Sequence, residues 1–143
     1  SAIVNNSGVS DVFERSFITY SNEAKVNMLN IKEKLLEDFG AVSKEVVCDM
    51  ARNMINYNND IDIVLAISGI AGPGGALPNK PVGLVHHALA TKKAVKHVQD
   101  RTYLTYVLSL VGLKMLFHTL TQLEMMSPQN MYSSKLVNLE KQL

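Results

Sequence analysis

Apolar residues recur with a helical period between residues 43 and 55. Val46, Val47, Met50, Met54 and Ile55 fall at i, i+3 and i+4 spacings, which places them on one face of a helix packed on a sheet. Ser43 begins this helix, and Glu45 sits in its first turn, where a negative charge suits the helix dipole. Residues 61–67 are apolar at nearly every position, the pattern of a central strand covered on both faces. Residues 82–90 read as the next strand and residues 95–98 as a short edge strand. Nearer the start, residues 13–20 include Phe17, Ile18, Thr19 and Tyr20, aromatic and β-branched types that predict a strand. Ser21-Asn22-Glu23 then opens a helix, with Ser21 or Asn22 as its cap, and a second helical piece over residues 32–39 ends at Gly40. Residues 56–60 form a turn, residues 102–123 a long last helix, and residues 135–143 a short helix through Leu136, Leu139 and Leu143. This order predicts a three-layer α/β/α domain with a mixed central sheet over residues 1–126. Residues 127–143 are expected to be a tail that packs on the domain or on a neighbouring subunit.

Composition narrows the functional classes. With 143 residues the length fits one domain, and a formal net charge of +1 gives no electrostatic reason to expect nucleic acid as a partner. Lys92, Lys93 and Lys96 cluster beside a strand and read as a solvated face. The single cysteine, Cys48, excludes an internal disulfide and a cysteine-built zinc site, and its place on the apolar stripe makes it core. His86 and His87 are adjacent on a strand and so point to opposite faces, which argues against a shared metal. His97 and His118 show no metal-ligand spacing either. The first six residues have neither a basic region nor a long apolar run, so no secretory signal is expected. Ser1 is not an initiator Met, and the natural N-terminus is expected to lie upstream or to have been replaced. Residues 102–123 carry too many polar groups to span a bilayer. A cytoplasmic protein without a membrane partner is the expectation.

Candidate chemistry centres on Ile67-Ser68-Gly69-Ile70-Ala71-Gly72-Pro73-Gly74-Gly75, with four glycines in seven residues between two strands. Such a segment is either a tight surface connection or a loop whose N–H groups form a nest for an anion such as phosphate. Alone, Lys25 would be a solvated helix lysine, Tyr20 a half-buried strand tyrosine, and Ser68 a strand-end hydroxyl bonded to backbone.

Three segments together change these readings. They are residues 12–25, which contain Tyr20-Ser21-Asn22-Glu23-Ala24-Lys25; Gly40-Ala41-Val42-Ser43; and the glycine loop with Asn79-Lys80-Pro81-Val82-Gly83 after it. In this order they resemble the C-terminal domain of the bacterial competence/damage-inducible protein CinA, the nicotinamide-nucleotide amidohydrolase family. The resemblance runs from about Ser7 to Ala90. It implies hydrolysis of the carboxamide of nicotinamide mononucleotide to carboxylate and ammonia, in pyridine-nucleotide recycling, with no metal and no cofactor. It implies catalytic roles for Lys25, Tyr20 and Ser68, the last standing where the family has threonine. It further implies a substrate site at Ser21, Asn22, Gly69, Ala71, Gly72, Gly74 and Gly75, with Arg101 as a phosphate contact. In that chemistry a lysine of lowered pKa activates a hydroxyl nucleophile, and N–H groups and hydroxyls stabilise the oxyanion. Tyr20 and Lys25 are expected to face one pocket.

The family's nucleophile is a serine in an E-S-x-T-G-G motif, and none of the 143 residues forms that motif. The chain as given is therefore expected to be inactive, with the serine upstream. The competing reading is a catalytically silent domain that binds a nucleotide or assembles with copies of itself. A missing first strand would leave a sheet edge open and favour a homo-oligomer.

Overall fold

The computed structural model describes residues 9–101. The chain divides into two compact units, residues 15–105 and residues 1–14 with 106–143. The described part of the latter contains a short 3-10 turn, Val9–Asp11. The expected helices at 102–123 and 135–143, and the domain boundary at 126, lie outside the described residues.

Residues 15–101 carry three helices followed by three strands: α1 Asn22–Leu29, α2 Glu33–Phe39, α3 Lys44–Ile55, β1 Ile63–Gly69, β2 Leu84–Thr91 and β3 Val95–Arg101. The helix ends follow local chemistry. Ser21, not Asn22, caps α1 by accepting from the Ala24 N–H at 3.0 Å. That helix ends at Asn30, whose φ of 53° is left-handed, a conformation Asn tolerates. Gly40, at φ 72°, ends α2, and a Cβ there would also stand 3.2 Å from the Lys80 ammonium. Ser43 caps α3 through the Val46 N–H.

The strands form one sheet in the order β1-β2-β3, antiparallel at both pairings. The α/β class holds, and among the described residues every strand pairing is antiparallel. β2, not β1, is the middle strand, and every one of its residues is buried, whereas β1 is mostly half-buried. The run of apolar residues at 61–67 marks a strand but does not say which strand lies inside, because that depends on pairing partners far along the chain. Residues 13–20 form no strand. Aromatic and β-branched types suit a strand only when a neighbouring strand takes up the backbone N–H and C=O groups. Here the carbonyls of Thr19 and Tyr20 accept instead from a lysine side chain.

Helix α3 lies on one sheet face. Its Val46, Val47, Met50, Ala51, Met54 and Ile55 are buried together with Leu29, Ile31 and Leu36. The sheet meets them with Ala66, Ala88 and Ala90, and Ala66 and Ala88 are register partners. Small side chains at the sheet centre let the helix approach closely, as close-packing requires. Cys48 is half-buried against this core, and burial pushes its thiol pKa up, so it behaves as a packing residue.

Candidate functional site

The start of α1 holds an unusual lysine. Lys25 is on the first turns of a helix that follows an extended segment, and only 6% of it is exposed. Its Nζ donates to the carbonyl of Thr19 at 2.8 Å, with those of Tyr20 and Ser21 at 3.3 and 3.4 Å. Three carbonyl oxygens match the three donors of an ammonium. Among the described residues no carboxylate pairs with it, and burial pulls the Lys25 pKa below the ordinary lysine value. The six-residue reach back to Thr19 makes Lys25 the support for the backbone it follows.

Tyr20 is placed differently from the expectation. Its ring is 99% exposed, while its backbone carbonyl lies against Lys25. Both residues share a turn of chain, but their side chains do not enter one pocket. With no strand over residues 13–20, nothing in a pleated ladder directs the ring inward. Ser21 is engaged as the α1 cap, and Asn22 is the first residue of that helix, exposed.

A second cluster forms around Gly40-Ala41-Val42-Ser43. Three successive carbonyls there each accept from a different side chain. Lys80 Nζ donates to Phe39, Ser43 Oγ to Gly40 at 2.8 Å, and Ser68 Oγ to Ala41 at 2.8 Å. Ser68 thus anchors the C-terminal end of β1 to the α2–α3 turn, 27 residues earlier. Its hydroxyl hydrogen is used, while its oxygen keeps accepting capacity. No hydrogen bond joins Ser68 to Lys25 among the described residues.

The glycine loop leaves β1 at Gly69. Backbone bonds between Ile70 and Leu84, and between Gly83 and Ile70, close its base at 2.9 and 2.7 Å. A small turn pairs Leu77 with Lys80, so the Lys80 side chain pins the loop to α2. Ala71, Gly72, Gly74 and Gly75 are exposed at the tip. Gly72 has φ 80°, and a Cβ on it would sit 2.6 Å from Val82 Cγ1, so no other residue fits there without a shift. Arg101 is the last residue of β3, and its N–H donates to Asp100 Oδ1 at 2.6 Å.

Two features escaped the sequence. Lys80 as the loop anchor had only its place before Pro81 as a signal. The other is a pair of histidines. His86 Nδ1 and His97 Nε2 are 2.9 Å apart across β2 and β3, and His86 is also the register partner of Ser68. Burial holds both rings, and that of His87, below the ordinary histidine pKa. His87 is 3% exposed, and its Nδ1 has no hydrogen-bond partner among the described residues. Among the described residues no group of three or more His, Cys, Asp or Glu side chains is arranged to hold a metal ion. No helix among them is long and apolar enough to cross a membrane.

The family model for the CinA C-terminal domain matches residues 1–120. The chain belongs to the CinA C-terminal domain family. A CinA-like protein of Kosmotoga olearia is 52% identical over 101 residues, which cover 69% of this chain and 24% of that protein. The chain therefore spans about a quarter of the length of the curated relatives it matches. Among solved structures, the competence/damage inducible protein CihA from Agrobacterium tumefaciens is similar at 40% identity with a TM-score of 0.66. That match covers 70% of this chain and 61% of the other. A CinA superfamily protein from Escherichia coli follows at 28% identity and a TM-score of 0.65, covering 71% and 58%.

Proposed function

We propose that this CinA domain is the amidohydrolase part of a nicotinamide mononucleotide deamidase, which converts the carboxamide to carboxylate and releases ammonia. The observation that carries this reading is Lys25: a buried lysine with no carboxylate partner among the described residues and a lowered pKa, beside exposed Tyr20 and within the Y-S-N-E-A-K segment. A lysine kept from a counter-charge loses its proton more readily, which suits it to activate a hydroxyl. The nucleophile in this reading is a serine of an E-S-x-T-G-G segment that the 143 residues do not contain. Tyr20 and Ser68 assist at the reacting carbonyl. The N–H groups of the glycine loop and Arg101 hold the ribose and phosphate, Ser21 and Asn22 line the entry, and no metal or cofactor takes part. The complete domain in this reading is a cytoplasmic three-layer α/β/α fold with a mixed sheet that assembles with copies of itself.

The test is ammonia release from nicotinamide mononucleotide. The chain preceded by an E-S-x-T-G-G segment should turn over, and Lys25→Ala in that protein should lower kcat by about 10²–10⁴-fold. The 143-residue chain on its own should release none. Absence of turnover with the segment in place would sink the amidohydrolase reading, and ordinary turnover without it would show that the nucleophile is misplaced.

A further inference from the structure

The histidine pair has a geometry that sequence spacing does not suggest. The ring centroids of His86 and His97 are 5.2 Å apart and the planes are inclined by 29°. That separation is the 2.9 Å nitrogen–nitrogen distance plus two ring radii, so the rings meet nitrogen to nitrogen rather than face to face. A head-on contact of this length is a hydrogen bond, with a proton on one nitrogen and a lone pair on the other. Lone pairs aimed at each other do not converge on a common metal ion. The pair is therefore built around a proton.

The pair also has a defined position. His86 pairs with Ser68 on β1 and His97 with Ala88 on β2, so all three side chains rise from one sheet face. We propose that His86 and His97 act as one proton-holding unit that ties β3 to the sheet face bearing Ser68, so that acidification reaches the candidate site through this pair. The reading of that site as an amidohydrolase centre enters only in what the response would control.

The proton balance is simple. In the neutral pair one ring donates its inner N–H, and the other accepts and keeps its own hydrogen on its outer nitrogen. A first added proton enters on the outer nitrogen of the donor ring. The result is an imidazolium donating to a neutral imidazole, a charge-assisted bond that keeps β3 in place. A second proton takes the accepting nitrogen itself, which removes the bond and sets two positive rings against each other. The surroundings tune both steps. Lys44 on α3, Lys80 from the loop and His87 on β2 oppose added charge, while Glu45 on α3 favours it. Ser68 on β1 is uncharged.

Long-range proton–nitrogen spectra of the ring nitrogens test this on the full chain, titrated from about pH 8 to about pH 5. The expected result is one neutral donor and one neutral acceptor ring at the start, then uptake of one proton by the pair before the second. In His97→Gln the His86 midpoint should move by about one pH unit or more. In Glu45→Gln, kept as a variant remote from the hydrogen bond, both steps of the pair should move together to lower pH. Amide exchange in residues 95–101 should rise only with the second proton, and exchange at Ser68 should rise with it. An unchanged His86 midpoint in a folded His97→Gln protein, or separate responses of the rings to Glu45→Gln, overturns the unit. Exchange at Ser68 that ignores the pair overturns its link to the site. Because none of these readouts uses substrate, failure of the ammonia assay leaves this result intact, and the reverse is equally true.

Discussion

Lys25 shows how one side chain joins structure to chemistry. Its ammonium organises the carbonyls of Thr19, Tyr20 and Ser21, while burial works against its charge. Lys25→Met keeps the apolar stem but leaves those carbonyls without their donor. Loss of a buried partner of this kind costs about 1–3 kcal/mol, which urea unfolding would measure. A change within error would mean that water replaces the ammonium freely. Gly72 makes a different kind of prediction. With φ 80° and Val82 Cγ1 at 2.6 Å from a built Cβ, Gly72→Ala should destabilise by about 1–3 kcal/mol and loosen the loop. Raised proteolytic cleavage within residues 71–79 would report that loosening. The need for glycine in this loop is legible in the sequence, and so is the chemical class of Lys25. That Tyr20 points to solvent is not, because a ring's direction depends on whether its segment joins a sheet.

Helix ends and faces follow from neighbours a few residues apart. Ser21 and Ser43 stand immediately before α1 and α3, and both accept from the N–H three residues on. Ser43→Ala should cost about 1 kcal/mol through the lost cap, with a further effect on the turn whose Gly40 carbonyl it serves. Ile31, 1% exposed between α1 and α2, is packed more tightly than any cap. Ile31→Ala should cost about 2–5 kcal/mol, read from the same unfolding curves. The strands were harder to order. Their apolar runs locate β1 and β2, but the middle place of β2 comes from its register with β1 on one side, from Ile63 with Thr91 to Gly69 with Val85, and with β3 on the other. Residues 13–20 show the same limit in the opposite sense: good strand formers there form no strand.

For the unit formed by residues 15–105, acid response is the collective property. His86, His87 and His97 are all held below the ordinary histidine pKa of 6.5, with burial the largest cause for each. The folded protein keeps them neutral where the unfolded chain already takes protons. Stability from this source is complete above about pH 6.5 and is lost as pH falls through the lowered folded values. Urea midpoints should be constant from about pH 8 to about pH 7 and then fall; a midpoint that stays flat to about pH 5 contradicts the burial of these rings.

Local relations account for what could be read before any fold was seen. The caps, the apolar face of α3, the glycine loop and the three segments that match the CinA family all depend on residues three to five apart or on contiguous motifs. The tertiary structure decided the rest. Ser68 meets Ala41, Lys80 meets Phe39, and His86 meets His97 only because strand order and register bring together residues 27, 41 and 11 positions apart. A hydrophobic period fixes which face of an element is buried, whereas the partner across that face is chosen by packing of the whole sheet and its helices.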